Sequence, residues 1–326
     1  MSIRGKMLAF LLAPIAALLC VAAVIGYFVA NSNFEKIVTN LSQEIGVKGS
    51  DIVDRWFEGI IKEVKILAET AEVRNALLTG DWKSLMQEYL PPMLKTRPHF
   101  ETFFIAYPDG TASTTAGAVI NIANTQYFLD IFRNNKQYAL SDPELSRVSQ
   151  NVYVIVVSVP VRSFDGRLLG LFGATLPLDT IRQIASEVKF GQAGYGWIVD
   201  QSGLVIAHPN KDVVMNLNVL RSSAQGYKGL EEAGKKMLAG QTGYQKITTK
   251  DGVVEYTFYA PIKAAEGWSF IVSIPEREVL GLVIPVITSI LILWNNRSSC
   301  CQRNTFVQQQ HDETSSQPCN SCRAIW

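Results

Sequence analysis

The sequence predicts an α+β fold: a long N-terminal helix followed by two antiparallel αβ modules, the whole flanked by transmembrane helices. Three observations carry that expectation. Apolar runs bracket the chain, apolar residues fall at helical spacing from Phe34 onward, and strand–turn–strand units recur through the remainder.

The first apolar run, 7–30, holds no charged residue and follows Arg4 and Lys6. At about 1.5 Å of rise per residue, roughly 20 apolar residues cross a bilayer core of about 30 Å. The run is long enough, and longer than the roughly 7–15 residues of a signal-peptide core. Cys20 follows Leu18 and Leu19 rather than small residues, so a lipoprotein cleavage site is not expected either. Basic residues flanking a span stay in the cytoplasm, which places residues 1–6 inside and residues 31–278 outside. The second run, 279–294, is shorter and reads as an incomplete span.

Phe34, Val38, Leu41, Ile45, Ile52, Trp56, Ile60, Val64 and Leu67 follow one another at helical spacing and predict a continuous helix. Gly46 and Gly49 each cost a helix about 1 kcal/mol, so a kink is expected there. A shorter helix is predicted over 81–95, closed around Pro91 and Pro92. Phe103 to Tyr107 then forms an aromatic, β-branched run entering the Pro108-Asp109-Gly110 turn. Val152 to Val161 and Leu168 to Leu176 pair across Asp165-Gly166, and Asp179 opens a helix over 180–189. The pattern repeats: strands at 196–199 and 204–207, a helix at 229–239, strands at 243–248 and 253–261 across Asp251-Gly252, and a last strand from Trp268 to Ile274.

Composition narrows the function. Lysine and arginine number 30 against 29 acidic residues, net charge +1, so no basic surface points to nucleic acid. No catalytic constellation is present, and no cofactor or metal is expected. His208 lacks metal-ligand neighbours, Ser158 and Ser273 lack a nucleophile elbow, and Gly191, Gly194 and Gly196 miss the phosphate-loop spacing. They are expected to supply turn geometry, with His208 structural in its turn and Asp200 within hydrogen-bonding range. The chain therefore reads as a binding module and not an enzyme. All cysteines but Cys20 lie after Trp294, so residues 31–278 cannot depend on disulfides. Only Cys319 and Cys322 have zinc-type spacing, and residues 295–326, rich in Ser, Gln and Asn, read as a disordered or out-of-frame tail.

The stretch Gly194-Tyr195-Gly196-Trp197-Ile198-Val199-Asp200 with Gly203, the Ala207-His208-Pro209 step, and Gly267-Trp268 leading to Pro275-Glu276 resemble the double Cache sensor domain. Tyr127-Phe128 and Val159-Pro160-Val161 fit the same pattern. That domain occurs in bacterial chemoreceptors, sensor kinases and diguanylate cyclases, and the similarity is nearest to methyl-accepting chemotaxis proteins. The resemblance implies a long helix at 34–72, a membrane-distal PAS-like module at 73–180 and a membrane-proximal one at 181–278. It also implies a homodimer in the bacterial inner membrane, a periplasmic or extracellular sensor, and a small ligand in the distal module. A kinase or cyclase attached to the same sensor is the alternative output.

The expected ligand-binding residues are Tyr107, Thr125, Tyr127, Phe128, Ser146, Arg147 and Thr175. Relatives that bind α-amino acids resemble one another in an arginine two residues before the first aromatic and an acid on a later strand. Here those positions fall on Thr125 and Thr175, with Glu144 and Ser146 at the intervening ones. A carboxylate ligand favours a bidentate cation, so the expected ligand is a small molecule other than an α-amino acid. Arg147 remains as a replacement cation for an organic acid.

Overall fold

A computed structural model describes residues 43–279 together with Lys36, Thr39, Asn40 and Gly281. The expected spans (7–30, and nearly all of 279–294), the tail at 295–326 and all five cysteines lie outside the described residues. Among the described residues no helix is long and apolar enough to cross a membrane.

A π-helical turn, Gln43–Val47, leads into α1 (Lys48–Ala68). This is the irregularity expected near Gly46, and the glycines have a packing role. A Cβ on Gly46 would stand 3.3 Å from the Tyr259 carbonyl oxygen, and one on Gly49 would meet the Phe270 ring at 2.4 Å. The helix start is pressed against two strands, closely at Gly46 and with no room for a side chain at Gly49. Its buried stripe is Val53, Phe57, Ile60, Val64 and Leu67. Ile52 was expected on the stripe but is 42% exposed, and Trp56 is only half-buried. Spacing alone leaves the stripe's centre uncertain by one residue, and the sheets chose the Val53–Phe57 side.

Helix α2 (Ala71–Thr79) follows, closed by Gly80 in the left-handed region. The turns Trp82–Ser84 and Leu85–Tyr89 then run into α3 (Leu90–Lys95). Pro91 and Pro92 do not end the helix as expected. They occupy its first turn, where a missing N–H is harmless.

The first sheet has the order β3-β2-β1-β7-β6-β4, with β5 also on β6. Its strands are β1 (Thr102–Ala106), β2 (Thr111–Thr114), β3 (Val119–Asn121), β4 (Ala139–Leu140), β5 (Glu144–Leu145), β6 (Tyr153–Arg162) and β7 (Leu168–Pro177). One face packs on α1, through β6 and β7. The other is closed by α4 (Gln126–Phe132), a short helix absent from the expectation. It brings Tyr127, Phe128 and Ile131 onto Phe104, Ala112, Val156 and Leu171.

Helix α5 (Leu178–Glu187) leads into the second sheet, order β10-β11-β12-β8-β9. Its strands are β8 (Tyr195–Val199), β9 (Val205–Ala207), β10 (Gly243–Thr248), β11 (Val254–Pro261) and β12 (Ser269–Pro275). Phe270 faces α1, while Trp197, Val205, Tyr259 and Ile271 on the opposite face pack under Leu217, Val219 and α6 (Leu230–Leu238). Both sheets are antiparallel throughout, and residues Glu35–Glu278 form one compact unit.

The glycines at 191, 194 and 196 act differently from one another. Gly191 sits in a turn with φ +66°, as expected. Gly194 and Gly196 mark close approaches: a Cβ would stand 2.2 Å from the Phe190 carbonyl oxygen and 2.3 Å from that of Ala185. Backbone atoms cannot swing aside. Gly196→Ala is therefore expected to lower stability by about 1–3 kcal/mol, seen as a lower melting temperature. The same change at Gly59, where no atom lies within 4 Å of the new Cβ, is the control, and its melting temperature is expected to hold or rise.

Candidate ligand-binding site

The first sheet and α4 enclose the residues singled out from the sequence. In β1, alternation puts Thr102, Phe104 and Ala106 on the α4 face, and the register Thr102↔Thr175 carries Thr175 to the same face. Thr125 is the N-cap residue of α4, its hydroxyl donating to the Ile122 carbonyl at 2.8 Å. The Tyr127 ring lies edge-on to Phe104 with centroids 6.4 Å apart, and Tyr127 is only 3% exposed. Burial and, less so, Glu144 push its phenol up to about 12, against the opposing effects of Thr125 and Arg147. Three side chains thus act on one neutral hydroxyl.

Three charged groups frame this hydroxyl and its threonines. Glu101, just before β1, accepts from the Ser146 hydroxyl at 2.8 Å and 2.9 Å and from the Thr175 hydroxyl at 3.1 Å. The Ser146 oxygen in turn accepts from the backbone N–H groups of Val148 and Ser149, which fixes the loop that bears Arg147. The Arg147 guanidinium stands 3.9 Å from Glu144 and donates to the Asn121 carbonyl at 3.3 Å. Burial raises the Glu144 carboxyl, and Arg147 partly offsets the rise. Arg147 and Glu144 thus face each other as an ion pair, which a zwitterion would part to place its two ends.

Thr125, Tyr127, Ser146, Arg147 and Thr175 are therefore neighbours in space. Two expected residues stand apart. Tyr107 lies on the opposite face of β1, its hydroxyl donating to the Ala76 carbonyl of α2 at 3.3 Å. Phe128 stacks on Phe132 with centroids 4.3 Å apart and serves the core. Sequence reasoning missed Glu101, whose link to Thr175 spans 74 positions and leaves no local pattern.

A larger cleft, about 1000 Å³, runs past Gln126, Asp130, Lys136, Asp142, Gln201 and Trp268. Its charges are already matched: Lys136 pairs with Asp130 at 3.2 Å and Glu266 at 3.5 Å, and the Gln201 amide donates to Asp142.

The family model described as Cache domain matches residues 26–283. Methyl-accepting chemotaxis protein McpG of Pseudomonas putida is 23% identical over 260 residues, 78% of this chain, which spans only 37% of that relative's length. The ligand-binding domain of the Pseudomonas aeruginosa amino acid chemoreceptor PctB, solved with L-Arg, superposes with a TM-score of 0.56. It is 20% identical and covers 74% of this chain and 97% of its own. The ligand-binding domain of the Pseudomonas fluorescens chemoreceptor CtaA, solved with L-leucine, gives 0.58 at 16% identity, covering 76% and 99%.

Those complexes overturn the expectation that an α-amino acid is disfavoured. The expectation rested on two positions, Thr125 and Thr175, that carry no charge. Charge need not come from those positions: Glu101, Glu144 and Arg147 reach the same face from a pre-strand residue, an edge strand and a loop.

His208 is held within its own turn, and Asp200 is not its partner. Asp200 accepts from the N–H groups of Ser202 and Leu204 and closes its own turn. The His208 Nδ1 accepts from the Asn210 N–H at 2.9 Å. Burial lowers its pKa to about 4, against a backbone contact at Asn210 that favours the charged ring. The unfolded chain, with a histidine near 6.5, takes up the proton first. Stability from this residue is present above about 6.5 and lost as pH falls toward about 4. Asp200 and Glu255, raised by burial, act in the opposite sense. His208→Gln is expected to remove on the order of 2 kcal/mol of the acid-side loss, measured by denaturant titrations at pH 6.5 and 4.5. An unchanged difference between the two pH values would contradict the assignment.

Proposed function

The chain belongs to the Cache domain family, and on that premise we propose that it is the sensing module of a chemotaxis receptor. In this reading residues 31–278 work outside the cytoplasm as a homodimer, anchored in the bacterial inner membrane through the runs at 7–30 and 279–294. Its role is to bind and report, not to catalyse. The ligand is an α-amino acid, held between the first sheet and α4.

The observation that supports this most directly is the charge set around the buried Tyr127 phenol. Arg147 offers the planar fork that a ligand carboxylate favours, and Glu144 and Glu101 offer acceptors for its ammonium group. Thr125 and Thr175 supply short polar contacts, and Phe104 gives an apolar backing for the carbon skeleton. Such a division, mostly apolar with a few placed polar groups, is that of small-molecule sites in general.

Calorimetric titration of the purified chain with the proteinogenic amino acids is expected to find at least one that binds at about micromolar Kd. Arg147→Ala is expected to weaken it about 30-fold or more. Tyr127→Phe keeps the ring packing but deletes the hydroxyl and is expected to weaken binding about tenfold. Unchanged affinity in Arg147→Ala sinks this assignment of the site. A chimera of residues 1–294 with the signalling half of a chemotaxis receptor is expected to respond to the same amino acid.

A further inference from the structure

The second sheet carries a cavity of its own, on the face turned away from α1. Register sets its floor: Thr257 lies opposite Ser273, and Ser273 opposite Tyr195, so three polar side chains stand abreast across β11, β12 and β8. Glu255, two residues before Thr257 and on the same face, accepts from the Tyr195 hydroxyl at 2.9 Å. The Trp197 Nε1–H donates to the Ser273 hydroxyl at 3.0 Å. The space above this floor measures about 300 Å³, at the small end of the roughly 300–1,000 Å³ of ligand sites.

Its walls are aromatic. The His208 ring meets Tyr195 at 5.2 Å and Trp197 at 5.8 Å between centroids, near-perpendicular to both. Half-buried Tyr227 closes another side. Glu255 is 6% exposed, and among the described residues no salt bridge reaches it. Lys250 and Asp251, which also line the cavity, carry opposite charges.

A buried carboxylate without a cation is costly, and aromatic faces attract organic cations more than any other charged ligand. We propose that this cavity is a second ligand site, selective for a small organic cation whose ammonium group pairs with Glu255 while its carbon substituents pack on Tyr195, Trp197, His208 and Tyr227.

The electrostatics favour that choice. Burial holds the Glu255 carboxyl above its ordinary range, with only the Tyr195 hydroxyl opposing, and holds His208 neutral near pH 7, its pKa at about 4. His208 therefore adds a ring face and not a positive charge. An organic acid would face a carboxyl with no buried cation to receive it. An α-amino acid would bring a carboxylate into the same difficulty. A metal ion would find two carboxylates, Glu255 and Asp251, and among the described residues no cluster of three or more acidic, histidine or cysteine side chains that could hold it. This site does not rest on the amino-acid reading of the first sheet.

The test uses the full chain in detergent, with choline, ethanolamine and putrescine as probes in calorimetric titrations. Saturable binding of at least one amine is expected. Glu255→Gln keeps the side-chain shape and an acceptor for Tyr195, and it is expected to weaken that binding about 30-fold or more. Tyr227→Ala, at a half-buried position, is expected to cost choline about tenfold and serves as the second variant if Glu255→Gln melts without a cooperative transition. Arg147→Ala, in the other site, should leave amine affinity as it is. The proposal is overturned if none of the three amines binds, if Glu255→Gln binds them as tightly as the unmodified chain, or if Arg147→Ala abolishes their binding.

Discussion

One buried helical stripe holds this structure together. Val53, Phe57, Ile60, Val64 and Leu67 on α1 are covered along their length, and each such side chain is worth roughly 1.5–3 kcal/mol when removed from water. The stripe packs on β6 and β7 of the first sheet, while the helix start lies against β12 of the second. Phe57 meets Trp268 edge-to-face at 5.8 Å, and Asp54 accepts from the Ala264 N–H at 2.9 Å, so the loop before β12 is fastened to the same helix. Glu63 adds a tie at the other end, pairing with Arg97 at 2.6 Å and His99 at 2.9 Å ahead of β1. Each sheet's unexposed face is thus defined by one continuous element.

That arrangement decides where ligands can go. A sheet with α1 on one face has only its other face free to build a cavity. In the first sheet α4 and the β5 loop cover that face, and in the second Leu217, Val219 and α6 do. The covers are short segments joined by loops, which can carry charged residues inward at little cost to packing. Glu101, Glu144 and Arg147 arrive in this way, and so do His208 and Tyr227. The two faces differ in charge. The first offers both an acid and a guanidinium, the second a single buried acid among aromatic rings.

The strands end close to the segment that continues toward residue 279. Glu278 receives the N–H groups of Gln192 and Ala193 in the turn before β8, the second at 3.0 Å, and Lys246 on β10 pairs with Glu276. The end of β12 is therefore clasped by the same sheet that carries the second cavity. Ser273 on β12 and Tyr195 on β8, which line that cavity, sit on the strand pair next to this clasp.

The sequence by itself determined the long strands and their turns, because those signals are local, while the short elements β2 to β5 and α4 left too little pattern to read. Asp-Gly turns with Gly166 and Gly252 at positive φ, valine-rich runs such as 153–162, and three-to-four spacing on α1 act over a few residues and survive any tertiary context. It also marked Tyr127, Arg147 and Thr175 as residues of interest. Only the tertiary structure decided which of them meet. Tyr107 looked equivalent to Tyr127, yet strand alternation sends it to the other face of β1. Glu101 and Thr175 are joined by the β1–β7 register, and Glu255 meets Tyr195 across sixty positions. Charge complementarity at a site is a sum over such distant partners. A reading that asks one position at a time whether a charge is present therefore misses charges that the folded sheet brings in from other positions.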